Sequence, residues 1–227
     1  MKPPIGSWFW TAVAVSLVVS LTPWAPFLLY PFKLFTTWVH ECGHALMTVL
    51  VGGRVTSITI EPNTSGFTQS LVPVSRVARG LVASSGYLGA AVVGCLLIAA
   101  TRVERRAPVI LLSLGAFMLL TVVFWIRNVF GAVAVLTWGV ALVALARRRA
   151  LHALRFLLSL LAIQVALNSV YDIRVLFMID RRPSDAATMA RLFLLPSWVW
   201  ATSWMLMSIA MLAATLWMTR GRTTSRR

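Results

Sequence analysis

Acidic residues are scarce in this chain, with six Asp and Glu against 21 Lys and Arg in 227 residues. Charged residues of every kind make up 12%, where a soluble domain carries about 25%. That shortage excludes an ordinary water-exposed surface. There are only two cysteines, Cys42 and Cys95, both in apolar stretches, which excludes a disulfide framework. There is no repeat of fixed period and no linker long enough to separate a second domain. The expectation is therefore one integral membrane domain over residues 1–227, with its functional core at about 34–180. A small-residue cleavage site is missing as well: Thr22-Pro23-Trp24 follows the apolar run from Trp8 to Leu21. That run is expected to be a membrane helix and not a signal peptide.

What the chain does have is apolar sequence, 59% hydrophobic with a mean hydropathy of +0.83. A membrane crossing takes roughly 20 residues as a helix that satisfies its own backbone. Candidate segments run from about Ser7 to Leu29 (with a kink at Pro23 and Pro26), Leu34 to Val51, Leu81 to Thr101, Pro108 to Ile126, Val129 to Ala146, Phe156 to Ile179 and Trp198 to Thr219. Pro31 and Lys33 separate the first two, and Gly52-Gly53 ends the second. The expected fold is an all-α polytopic membrane protein of about seven transmembrane helices. Between helices two and three the character changes. Val55 to Ile60 is rich in β-branched residues, Asn63-Thr64-Ser65-Gly66 supplies turn chemistry, and Phe67 to Val72 can return. One short β-hairpin is expected there.

The formal charge is +15. Its arginines sit in short connections, at Arg102, Arg105, Arg106, Arg147 to Arg149 and the tail from Arg220 to Arg227, and they build no basic face on a soluble domain. They argue for anionic lipid headgroups as partners and against nucleic acid. Trp198, Trp200 and Trp204 read as interfacial anchors.

Two of the three histidines and one of three glutamates fall within five consecutive positions of the second apolar segment, His40-Glu41-Cys42-Gly43-His44. Ionisable groups in lipid are costly and point to function. On a helix, His40 and His44 are one turn apart on a shared face, where two imidazoles can ligate one zinc ion. Glu41 points to the adjoining side, placed to take a proton from a water activated by the metal. Gly43 leaves room for another backbone. A catalytic site needs a third protein ligand. Asp172 is the first candidate, because it lies in an apolar segment. His44, ten residues before Arg54, and Asp172, eight before Asp180, both come to about 12–15 Å from one membrane face. Asp185 is the reserve; in Pro183-Ser184-Asp185-Ala186 it also reads as a helix N-cap. His152, beside Arg147 to Arg149, reads as a surface histidine.

These residues resemble the site-2 protease family of intramembrane zinc metalloproteases, particularly its small bacterial members. His40-Glu41-Cys42-Gly43-His44 fits the family's HExGH form, and Gly52-Gly53-Arg54-Val55 with its hairpin resembles the family's membrane-associated β-element. Ser85-Gly86-Tyr87-Leu88-Gly89 stands where the family has a small-residue, glycine-proline motif, with Tyr87 in place of the proline. Asn168 and Asp172 resemble the later asparagine and aspartate motif. The resemblance implies one zinc ion on His40, His44 and Asp172, catalysis by Glu41 and substrate binding by Asn168. It also implies a membrane-protein substrate cut in or near a transmembrane helix, in the bacterial inner membrane. The hairpin would align an extended substrate by main-chain pairing. Arginine bias in the connections puts the face opposite the hairpin in the cytoplasm, whereas the resemblance puts the hairpin there. The other classes are a non-catalytic scaffold or transport-associated protein that keeps a metal site, and a transporter using His40, Glu41 and Asp172 as a polar path.

Overall fold

The computed structural model describes residues 7–148, 150–176 and 184–219. Lys2, Arg149, Asp180 and the arginine tail lie outside them. Among the described residues the chain forms α1 (Ser7–Ser20), α2 (Ala25–Leu50), β1 (Arg54–Ile60), β2 (Gly66–Leu71), α3 (Arg76–Ala100), α4 (Ala107–Phe124), α5 (Val129–Arg147), α6 (Leu151–Leu176), α7 (Asp185–Phe193) and α8 (Ser197–Thr219). Glu104–Arg106 makes one 3-10 turn between α3 and α4.

Among the described residues, eight helices replace the expected seven or so. Five are long and apolar enough to cross a membrane: α3, α4, α5, α8 and the Leu151–Tyr171 part of α6. The protein is thus mostly helical and integral to the membrane, with one small sheet. The extra helix is α7, nine residues long and absent from the sequence expectation. The motif helix α2 is not among the five, because Lys33, His40, Glu41 and His44 give it a polar side.

The break near the N-terminus also falls elsewhere. No helix runs from Ser7 to Leu29; α1 stops at Ser20, and α2 begins at Ala25 and continues through Pro31. Pro26 occupies the first turn, where a missing N–H costs nothing. Pro31 comes soon after, so the carbonyl it leaves unpaired is in the opening turns. The Pro31 carbonyl itself accepts from the Trp138 indole of α5 at 3.0 Å.

At its other end α2 closes through Gly52, whose φ of 79° belongs to the left-handed region that glycine adopts without strain. The chain then turns back along α2 as the hairpin. β1 and β2 pair antiparallel, with Ile58 opposite Thr68, Ile60 opposite Gly66 and an irregularity between Val55 and Ser57. The Tyr30 hydroxyl donates to the Pro62 carbonyl at 2.7 Å, Thr37 to the Thr64 carbonyl at 2.7 Å, and Thr48 to the Ser70 hydroxyl at 3.0 Å. The hairpin therefore lies along most of α2.

The far edge of β1 is closed by the α4–α5 corner. Ile58 N–H donates to the Trp125 carbonyl at 2.7 Å, and Arg127 N–H donates to the Ile58 carbonyl at 3.1 Å. The Asn128 side chain grips Ile60 twice, donating to its carbonyl at 2.7 Å and accepting from its N–H at 3.2 Å. Arg127 donates back to the Val123 and Phe124 carbonyls at the end of α4, so the corner is fixed from both sides. The main core joins Phe35 and Trp38 of α2, Ile58 and Ile60 of β1, Leu111 and Met118 of α4, Leu142 of α5 and Leu158 of α6. Inside it the Trp38 indole donates to the Thr121 hydroxyl at 2.9 Å. Left unpaired at that depth, the N–H would cost about 1–3 kcal/mol.

Candidate metal centre

Residues His40, Glu41 and His44 lie in the middle of α2, where α3 comes closest. That approach depends on Gly43: a Cβ there would collide with the Ser85 carbonyl. Gly86, one residue on, faces the two imidazoles, and a Cβ on it would overlap His40 Nε2 and meet His44 Nε2. The small residues of α3 thus let the backbones close and keep a space for the rings.

His44 is buried and its ring is oriented. Nδ1–H donates to the Val82 carbonyl of α3 at 2.7 Å, which leaves the Nε2 lone pair facing the site. His40 Nε2 lies 3.0 Å from His44 Nε2. Tyr87 meets the His40 ring edge-on at 4.6 Å between centroids, and Trp204 of α8 stacks on Tyr87 at 5.3 Å. Trp204 was expected at the membrane interface; it is 2% exposed and buttresses the site instead. Trp198, 61% exposed, fits the interfacial position.

Among the described residues, the carboxylate brought to the histidines is Asp185. Its Oδ2 lies 3.3 Å from each Nε2. Asp185 is not the N-cap; Ser184 is, accepting from Ala187 N–H at 3.2 Å, and this puts Asp185 in the first turn of α7. Helix α7 is seated on α3 and α8 by Ala186, Met189 and Phe193. Gly80 makes room for Phe193, whose ring carbon would stand 2.7 Å from a Cβ there. Asp172 falls within α6, and its side chain lies outside the described residues. Asn168 is buried one turn earlier, its amide donating to the Gln164 carbonyl at 2.8 Å while it lines the same cavity.

Three donors, His40 Nε2, His44 Nε2 and one Asp185 oxygen, form a group able to hold a metal ion. Three corners of a tetrahedron with bonds of about 2.0–2.1 Å stand roughly 3.3–3.4 Å apart. The observed separations of 3.0, 3.3 and 3.3 Å match that triangle, and two imidazoles with one carboxylate suit zinc.

Glu41, 4% exposed, sits beside the triangle with its carboxylate fixed by β2. The Thr68 hydroxyl is 2.6 Å from Oε2 and 3.1 Å from the Glu41 carbonyl. A cavity of about 840 Å³ opens over these groups, lined by His40, Glu41, Thr68, Tyr87, Asn168 and Asp185 among others. Thr68 and Trp204 carry no motif, and sequence reasoning misses their part in the site; Tyr87 and Gly66 stand in sequence motifs, but their contacts with His40 and Glu41 are not legible there.

The fold and this group define a membrane protein with three donors able to hold a metal ion next to a buried glutamate. Compared with known families, residues 10–215 match the Peptidase M50B-like model, and the chain belongs to that family, the site-2 protease family of peptidases. No curated protein and no solved structure matches the chain.

Proposed function

We propose that the protein is a zinc-dependent intramembrane endopeptidase that hydrolyses a peptide bond in or near a transmembrane helix of another membrane protein. The triangle of His40, His44 and Asp185 with Glu41 alongside carries this reading. His40, His44 and Asp185 are the three zinc ligands. Bound zinc supplies Lewis acidity and makes water nucleophilic near neutral pH. Glu41 takes a proton from the attacking water and returns it to the departing amine. Its neighbour Thr68 belongs to β2, and one observation supports a substrate role for that strand. Ile58 spends its N–H and C=O on Trp125 and Arg127, so the Ile58–Thr68 pair is of the non-hydrogen-bonded kind. The N–H and C=O of Thr68 therefore point to the other edge of the sheet, along the cavity. An extended substrate segment adds there as a strand, its scissile bond carried past Glu41. Asn168 meets the substrate from the α6 side.

In this reading the protein works in a bacterial inner membrane. Arg102, Arg105, Arg106, Arg147 and Arg148 contact anionic headgroups, and nucleic acid is not a partner.

Purified protein tests the reading. Zinc is expected at one equivalent in the wild type and in Glu41→Ala, with cleavage of a transmembrane substrate only in the wild type. A wild type that binds zinc, cleaves none of a panel of membrane-protein substrates and keeps its cellular role as Glu41→Ala is a scaffold, and the proposal fails.

A further inference from the structure

We infer that Thr68 is a positioning residue that couples backbone pairing on β2 to the orientation of the Glu41 carboxylate. The inference rests on the peptidase reading and adds to it how the hairpin acts. One residue faces two ways. Through its side chain, Thr68 donates to Glu41, with the hydroxyl 2.6 Å from Oε2 and 3.1 Å from the main-chain oxygen of the same residue. Through its main chain, it offers N–H and C=O to the open edge of the sheet, because its partner Ile58 uses its own groups on Trp125 and Arg127.

The other Glu41 oxygen meets the same strand. A Cβ at Gly66 would stand 2.5 Å from Oε1 and 2.8 Å from the carboxylate carbon. Gly66 and Thr68 are alternate residues of β2 and so project to one face. The missing side chain admits Oε1 and the hydroxyl holds Oε2. A two-point seat of this kind sets the carboxylate plane relative to the imidazoles. The strand holding that seat is itself braced through β1 by Asn128, so it does not give independently. A substrate segment hydrogen-bonded to Thr68 is thereby registered to the residue that fixes the base. A threonine or serine serves here; a valine of the same shape does not.

The test uses the full-length protein in detergent, as wild type, Thr68→Val and Thr68→Ser. Infrared spectra with ¹³C-labelled glutamate, of which Glu41 is one of three residues, read the carboxylate directly. The expected result is a shifted carboxylate band in Thr68→Val and the wild-type band in Thr68→Ser, with zinc content equal in all three. Cleavage of a quenched fluorescent single-span peptide should then show kcat lowered about 10- to 100-fold in Thr68→Val with KM within about twofold, and recovery in Thr68→Ser. An unshifted band, a wild-type kcat in Thr68→Val, or no rescue by serine overturns the inference. Failure of the peptidase reading looks different: the wild type, with zinc bound, leaves every peptide intact while the band still shifts, and the coupling to substrate falls with it.

Discussion

Gly86 of α3 lies so close to the His40 imidazole that a Cβ at this position would overlap Nε2. The glycine is a spatial requirement of the donor triangle formed by His40, His44 and Asp185. Gly86→Ala is expected to lower zinc affinity by roughly tenfold or more, in the range found when groups supporting metal ligands are changed. Gly89→Ala is the control, since a Cβ there meets Gly43 Cα at an ordinary 3.5 Å. Metal titration of the two variants should separate them.

Asp185→Ala is expected to lose bound zinc, while Asp172→Ala retains it. Elemental analysis of the purified variants reads this directly. Zinc kept by Asp185→Ala and lost by Asp172→Ala would move the third ligand to α6.

Trp204→Ala removes the surface on which Tyr87 stacks, and with it the support for the His40 ring. Truncating a buried tryptophan costs about 3 kcal/mol or more. Thermal unfolding should register that loss, and zinc occupancy should fall with it. Trp204→Phe keeps a ring in place and should retain most of the occupancy.

Asn128→Ala deletes both hydrogen bonds to Ile60 and should destabilise the hairpin by about 1–3 kcal/mol. Hydrogen exchange at Ile58 and Ile60 is expected to accelerate, with zinc content unchanged. Exchange at the wild-type rate would show that the corner does not hold β1.

The sequence made half of this site legible. His40, Glu41 and His44 stood out because charge is rare in an apolar run and their spacing has one helical meaning. The hairpin was readable from Val55 to Ile60 and from the Asn63 to Gly66 turn. Helix α7 was not read, although Ser184 as a cap with Ala186, Met189 and Phe193 at helical spacing gave a signal. Nine residues are too few for periodicity to outweigh a loop, and Ser184 and Asp185 are both cap-competent neighbours. Counting residues to a membrane face favours Asp172, whose side chain lies outside the described residues; that count has no place for a short helix that carries Asp185 back against α3. Trp204 was misplaced because an aromatic near a helix start looks the same whether it meets headgroups or Tyr87.

The corner formed by Trp125 to Asn128 has a further consequence. A two-stranded ribbon with both borders bare can be extended indefinitely by other chains, which is how edge strands seed aggregates. Here one border is already sealed by the protein's own backbone and by Asn128. Direct addition of a strand to β1 is therefore blocked, and growth of the ribbon from both borders is excluded.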